Sequence, residues 1–230
     1  MTRLIIFANG MVPDLTAARA CVRPDDVLIA ADGGTRLAFR LGWMPSKVFG
    51  DLDSLAPADR QRLDAQNVEI RQFPREKDET DLELALDYAR TCGLKEIVIM
   101  GGLGGRLDQT LGNLALLTDA RLADLDTRME DGMEEAFFVR SQAVVRGNPG
   151  EIVSLIAWGS PVLGVRTSGL RWPLRGETLL PERTRGVSNE LQEGTAGIEI
   201  ASGLLLCVHR HAAGSTRSTS AQNFNPRRNS

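Results

Sequence analysis

The chain has 230 residues, 42% of them hydrophobic and 25% charged; this is enough for one large globular domain or two small ones and ordinary for a soluble protein. A net charge of −3 excludes the broad basic footprint of a nucleic-acid-binding protein, but not a local site for a phosphorylated small molecule. No apolar run approaches the roughly 18 residues that span a membrane, and the opening MTRLIIFANG reads as a first strand with too few apolar residues for a secretory leader.

In chain order, Leu4–Ala8, Val27–Ala31, Lys47–Gly50, Val68–Phe73 and Glu96–Met100 read as strands. Several are apolar throughout, as strands covered on both faces are. Thr35–Leu41, Pro57–Gln66, Thr80–Thr91 and Arg106–Asp119 read as helices. Thr80-x-x-Glu83 has the form of a capping box, followed by an apolar stripe at Leu82, Leu86 and Ala89. Leu107, Leu111, Leu114 and Thr118 share one side of the last helix. This alternation predicts an α/β N-terminal domain over residues 1–126, with a parallel, doubly wound sheet that receives ligands at the carboxyl ends of its strands.

From about Thr127 the helical periodicity stops. Glu135–Val139, Ile152–Trp158, Val162–Thr167, Gly197–Ile200 and Leu204–Arg210 are short strand-like runs punctuated by Gly, Pro and Ser. They predict a smaller all-β sandwich or barrel over residues 127–212. Residues 213–230, rich in Ser, Arg and Asn, are expected to be a disordered tail. Cys21, Cys92 and Cys207 are far apart and form no CxxC pair, which fits a reducing cytoplasm and argues against a zinc site. His209 and His211, the only histidines, share one strand face; they read as surface residues near the strand end or as a metal site, and the surface position is expected for both.

Four segments carry the chemistry. ADGG supplies Asp32, Gly33 and Gly34; GDLDS supplies Asp51 and Asp53; KDETD supplies Lys77, Asp78, Thr80 and Asp81; GGLGGRLDQT supplies Gly102, Gly104, Gly105, Arg106 and Asp108. Each follows an apolar run, so the topology gathers their carboxylates on one edge of the sheet. Converging carboxylates are costly unless a hard divalent cation such as Mg²⁺ neutralises them, and protein-held Mg²⁺ usually shares its shell with phosphate oxygens. In an extended segment Asp51 and Asp53 point the same way and can address one cation. The glycines and the helix start at Arg106 suit an anion approached by backbone amides, with a forked donor beside it. Taken singly, each segment also reads as a plain turn, a solvated loop or a structural ion pair. Ser188 and Asn189 can read a polar heterocycle or form a turn. Trp172 can stack on a planar ligand or belong to the core.

In this order, ADGG, GDLDS, KDxTD, GGLGGRLD and the late SNE resemble the thiamine pyrophosphokinase family, over about Ile5 to Val208. The resemblance implies an N-terminal α/β domain joined to a C-terminal β-sandwich, assembled as a homodimer. It implies transfer of the diphosphate of ATP to the hydroxyl of thiamine. ATP and Mg²⁺ would sit at the α/β domain, and thiamine at the subunit interface, between that domain of one subunit and the β domain of the other. Asp51, Asp53 and Asp78 would hold Mg²⁺. Asp108 would complete the cluster or orient the hydroxyl, and Lys77 and Arg106 would stabilise phosphate charge. Asp32, Gly33, Gly34, Thr80, Asp81, Gly102, Gly104 and Gly105 would shape the nucleotide pocket. Ser188, Asn189 and Trp172 would line the thiamine pocket. Many bacterial members have His where this chain has Gln109, so Gln109 receives no acid–base role; Arg75 and Glu76 lie in a variable segment and receive no role. Two alternatives stand beside this reading: a pyrophosphokinase for another hydroxymethyl heterocycle such as a pterin, and a non-catalytic thiamine- or nucleotide-binding protein.

Overall fold

The computed structural model describes residues 2–53 and 55–212, together with the backbone of Gln222 and Asn223. They divide into two compact units, one ending at Gly132 and one beginning at Met133.

The first unit runs β1 (Leu4–Phe7), α1 (Leu15–Ala20), β2 (Val27–Ala31), α2 (Gly34–Arg40), β3 (Lys47–Gly50), α3 (Pro57–Ala65), β4 (Glu69–Gln72), α4 (Asp81–Thr91), β5 (Glu96–Met100), α5 (Leu107–Leu116) and β6 (Asp126–Glu130). All pairings are parallel, in the order β6-β5-β1-β2-β3-β4. Central β1 is fully buried along its length, which is why LIIF shows no polar alternation. Edge strand β4 is largely exposed and polar, as an edge is when only one neighbour covers it.

The helices are set by local chemistry. Asp14 caps α1 by accepting from the N–H groups of Thr16 and Ala17 at 2.8 and 3.0 Å. The Thr80 hydroxyl accepts from the N–H of Glu83 at 3.2 Å and starts α4, whose Leu82, Ala85, Leu86 and Ala89 are buried. At the start of α2, a Cβ on Gly34 would lie 1.9 Å from the carbonyl oxygen of Phe7. Helix and strand therefore touch backbone to backbone there, and only glycine fits.

Three features differ from the sequence reading. Leu107 and Leu111 of α5 are exposed while Leu114 and Leu117 are buried; a stripe at helical spacing says which residues share a face, not what covers it. Strand β6 pairs with β5 along its whole length, from Glu96↔Asp126 to Met100↔Glu130, so the first unit extends past residue 126. Finally, His209 is fully buried and not at the surface, its ring held between the buried carboxylates of Glu135 and Glu151.

The second unit comprises β7 (Glu134–Val139), β8 (Gln142–Arg146), β9 (Ile152–Ala157), β10 (Val162–Ser168), β11 (Arg175–Leu179), β12 (Asn189–Glu190), β13 (Thr195–Glu199), β14 (Leu205–Arg210) and β15 (Gln222–Asn223). Its pairings are antiparallel, in the orders β12-β9-β14-β7 and β11-β10-β13-β8-β15. One core joins Phe137, Leu155 and Leu205 of the first set to Val145, Val165 and Ile198 of the second, which makes the unit a sandwich. Buried and partly exposed residues alternate along β9, the period-2 signature of a strand with one face on that core. The tail expectation for residues 213–230 falls outside the described residues, except that Gln222 and Asn223 add to the sheet beside β8. No helix among the described residues is long and apolar enough to cross a membrane.

Candidate active site

The carboxyl ends of β1, β2, β3 and β5 and the β4–α4 segment enclose a cleft of about 560 Å³. Of the residues singled out in the sequence, Asp32, Asp51, Lys77, Thr80, Asp81, Gly104, Gly105 and Arg106 line it. The N-termini of α4 and α5 both open onto it through Thr80–Leu82 and Arg106, so two helix dipoles favour an anion in the same space.

Asp32 is held in two costly ways. Its φ is 40°, in the left-handed region, and its Oδ1 is buried without a hydrogen-bond partner. The backbone fixes this posture: its N–H donates to the carbonyl of Phe49 at 2.7 Å and its carbonyl accepts from Thr35 at 3.0 Å. Gly50 separates Asp32 from Asp81. A Cβ at residue 50 would stand 2.9 Å from the Asp32 Cβ and 3.3 Å from the Asp81 Cγ. Asp81, the first residue of α4, is paired with Lys77 of the preceding loop at 2.8 Å, so the lysine carries its charge into the cleft wall.

Asp51 and Asp53 do not sit on an extended strand. Leu52 between them has φ 66°, and Asp51 Oδ1 accepts from the N–H of Asp53 at 3.0 Å. This tight turn removes the two-residue alternation, so Asp51 faces the cleft while Asp53 is exposed, 3.8 Å from Arg75. Ser54, the last residue of that motif, lies outside the described residues. Asp78 is exposed between the lining residues Lys77 and Glu79.

The glycine-rich turn after β5 places Gly104 and Gly105 on the cleft wall with φ 75° and 84°, conformations that side chains rarely adopt. Gly102 is not on the wall. It packs against Ile99 and Met129, and its carbonyl accepts from Asn113 at 2.9 Å, tying the turn to α5. Gly33 lies against the Asn9 side chain, and Gly34 against β1. Arg106 grips Asp108 in a fork, with Nη2–Oδ2 at 2.5 Å and Nε–Oδ1 at 3.1 Å. The Arg106 hydrogen bonds hold the Asp108 carboxyl below the usual carboxylate range and raise the guanidinium in turn. Arg106 lines the cleft; Asp108 does not.

Sequence reasoning left out Asn9, Met11, Arg75, Gln109 and Asn113, which also line the cleft. Asn9 had a usable signal, since it directly follows the first buried strand. Asn113 lies two turns into α5, and nothing in its sequence context marks it.

In the second unit, Asn189 clamps Trp172. Its Oδ1 accepts from the N–H of Trp172 at 3.0 Å, and its Nδ2 donates to the carbonyl of the same residue at 2.7 Å. The Trp172 ring is not core: the residue is 46% exposed. The Arg171 guanidinium lies 4.9 Å from the ring centroid and pairs with Glu190 at 2.8 Å. Ser188 has φ 58°, and its N–H donates to the Ser154 hydroxyl at 3.0 Å. The result is an aromatic face held open on a polar frame, suited to stacking a planar group.

Two family models match the chain: "Thiamin pyrophosphokinase, catalytic domain" over residues 18–129 and "Thiamin pyrophosphokinase, vitamin B1 binding domain" over residues 142–205. The chain is 28% identical over 213 residues to thiamine pyrophosphokinase of Bacillus subtilis (strain 168), covering 90% of this chain and 98% of that one. It is 26% identical over 204 residues to thiamine pyrophosphokinase 1 of Oryza sativa subsp. japonica, covering 78% and 77%. The crystal structure of thiamine pyrophosphokinase from Bacillus subtilis matches with a TM-score of 0.81 at 28% identity, over 92% of this chain and 99% of that chain. Thiamin pyrophosphokinase from Candida albicans shares the fold, with a TM-score of 0.74 at 13% identity over 91% of this chain and 89% of that chain. One model matches within each of the two units, in the order catalytic then vitamin-binding, and the chain belongs to the thiamin pyrophosphokinase family.

Proposed function

We infer that this protein is a thiamine pyrophosphokinase, transferring the diphosphoryl group of ATP to the hydroxyl of thiamine and releasing AMP. The observation that carries this reading is the cleft itself. Carboxylates, a lysine, an arginine and two helix N-termini converge at the carboxyl edge of a parallel sheet, in a chain whose second unit matches a vitamin B1 binding domain.

The donor set fits Mg²⁺. The ion takes oxygen ligands and keeps substrate phosphates and water in its shell. Asp51 offers a carboxylate to the cleft, Asp53 lies two residues further along the same loop, Asp78 sits between the lining residues Lys77 and Glu79, and Asp32 supplies a buried oxygen that lacks a partner. Asp51, Asp53 and Asp78 would hold the metal, with Asp32 beside them. When bound, Mg²⁺ supplies charge neutralisation for the triphosphate.

Diphosphoryl transfer depends on position and charge more than on covalent help from the protein. The thiamine hydroxyl oxygen forms a bond to the β-phosphorus and gives up its proton to solvent as the bond from that phosphorus to the α–β bridging oxygen breaks, and AMP carries that oxygen away. Lys77 and Arg106 meet the charge on the transferred group, and the amides around Gly104 and Gly105 add donors. Asp108 orients Arg106 through the fork. Thr80 and Asp81 with Asp32, Gly33 and Gly34 shape the nucleotide end, directly or by fixing the backbone. Trp172, Ser188 and Asn189 present the surface on which the thiamine rings rest.

The active form in this reading is a homodimer, with thiamine between the cleft of one subunit and the second unit of its partner. Exposed Leu107 and Leu111 on α5 support it, because they leave bare apolar surface on the helix that carries Arg106. The location is cytoplasmic, in keeping with three cysteines that match no disulfide framework.

The test is an assay of purified protein with ATP, Mg²⁺ and thiamine, following AMP and thiamine diphosphate together. Equimolar appearance of both, dependent on metal and thiamine, is expected. AMP without thiamine diphosphate, or thiamine binding without AMP, would overturn the assignment in favour of another acceptor or a binding role.

A further inference from the structure

A second cluster of metal-competent side chains lies buried in the sandwich. His209 of β14 has Nδ1 at 3.1 Å from Oε1 of Glu135 and Nε2 at 2.9 Å from Oε2 of Glu151, and both carboxylates are almost fully buried. The register explains the arrangement. Glu135 of β7 is the direct cross-strand partner of His209, so their side chains meet on one face. His211, two residues further, returns to that face, with its ring centroid 4.4 Å from that of His209 at 67° and its Nδ1 3.8 Å from Glu151 Oε2.

One ligand atom from each of Glu135, His209 and His211 lies within 4.8 Å of the others. A tetrahedral ion with bonds of about 2.0–2.1 Å to nitrogen and oxygen sets its ligands roughly 3.3 Å apart; the Glu135–His209 pair is already at that spacing, and side-chain movement of at most about 1.5 Å brings the set onto such an ion. Glu151 stands one shell further out and is fixed there. Its Oε1 accepts from Asn148 Nδ2 and from the N–H of Ala212, each at 3.0 Å. Its Oε2 lies 2.9 Å from His209 Nε2, on the far side of the ring from the Nδ1 that faces Glu135. A carboxylate holding the far nitrogen of a ligating histidine is the usual outer partner of a metal-bound imidazole. Gly147 makes room for the pair, since a Cβ there would stand 2.1 Å from Glu151 Oε2 and 2.9 Å from His209 Nε2.

We propose that Glu135, His209 and His211 form a binding site for a divalent transition cation of the zinc class, oriented by Glu151 and completed by water. Two imidazoles and one carboxylate suit Zn²⁺ and its neighbours better than Mg²⁺, which prefers an all-oxygen shell. The site is therefore chemically distinct from the carboxylate cleft. The spacing of Cys21, Cys92 and Cys207 argues against thiolate ligation only and leaves this set untouched. A bound ion would link β14 to β7 and stiffen the sandwich.

The full chain, stripped with a chelator, would be titrated with Co²⁺ alone in excess Mg²⁺ and then with Zn²⁺. The expected result is one Co²⁺ per chain with the intense visible bands of tetrahedral nitrogen–oxygen coordination, displaced by Zn²⁺, and a higher Tm with Zn²⁺ bound. His211→Gln, at the least buried ligand, and Glu135→Gln should each weaken binding at least about tenfold. Absence of tetrahedral bands in the parent chain would overturn the proposal without recourse to any variant. Undiminished affinity in both folded variants would do the same, and the cluster would then be a buried hydrogen-bonded group only.

Discussion

Replacing Asn189 by alanine separates the frame under Trp172 from the ring itself. Asn189 is 3% exposed, and its amide makes three hydrogen bonds to backbone: from the N–H of Trp172 at 3.0 Å, from the N–H of Glu190 at 2.9 Å, and to the carbonyl of Trp172 at 2.7 Å. A typical hydrogen bond contributes about 1 kcal/mol net, and a buried group left unpaired costs about 1–3 kcal/mol. Water reaches the half-exposed Trp172 and takes up part of the loss, so the three together come to about 2–4 kcal/mol. For a chain of this length that is a fall in Tm of about 4–16 °C. In the reading above, the indole also loses its fixed orientation, and the KM for thiamine should rise about tenfold, or about 1.4 kcal/mol, with kcat little changed. Asn189→Asp keeps the acceptor for both N–H groups and loses only the donor to the Trp172 carbonyl, so it should fall between parent and alanine. Thermal unfolding followed by near-UV circular dichroism, with thiamine saturation curves for the same samples, decides the matter. An alanine variant with parental Tm and parental KM would refute the clamp.

Asp32→Asn should cut turnover at least about a hundredfold while leaving Tm unchanged or higher, because asparagine tolerates positive φ and a neutral amide is cheaper to bury than a carboxylate; steady-state kinetics and a melting curve check both halves. Asp53→Asn should nearly abolish turnover in a folded protein, and full activity at limiting Mg²⁺ would refute its metal role. Gly34→Ala should destabilise by at least about 3 kcal/mol, because its Cβ would lie 1.9 Å from the carbonyl oxygen of Phe7 and both partners are backbone. A parental denaturation midpoint would show that α2 can move away from β1.

What the sequence made legible follows what each signal measures. Apolar runs report burial on both faces, so LIIF and EIVIM announce β1 and β5 directly, and the carboxylates that follow such runs fall at the cleft. DTRME of β6 carries no such signal although Thr127, Arg128, Met129 and Glu130 are buried; Arg128 and Glu130 are buried with partners, Asp126 and the N–H of Gly132, and partners are not visible along the chain. The turn at Asp51–Asp53 is hidden from the sequence for a related reason. Its alternation depends on extended backbone, and the positive φ of Leu52 is fixed by surroundings that a leucine does not advertise. His209 needs the register between β7 and β14 to bring Glu135 beside it from 74 positions away. Trp172 shows the same limit from the other side: an aromatic residue reads as core until the clamp that holds it outward is seen.

The distribution of strain gives an independent argument for where function lies. Among the described residues, four that are not glycine adopt positive φ: Asp32, Leu52, Asn67 and Ser188. Asn67 follows α3, where asparagine in a left-handed turn costs little. The other three fall within ADGG, GDLDS and SNE. At Leu52 and Ser188 the local cost is of order 1–3 kcal/mol, and at residue 52 a glycine would avoid it; at Asp32 the backbone cost is smaller, because aspartate tolerates this region as asparagine does. Asp32 adds a buried oxygen without a partner to its backbone strain. Folding alone would favour relief of these costs at every one of the three positions. Their retention in the very segments that frame the cleft and the Trp172 surface is what is expected when the geometry answers to a ligand rather than to stability.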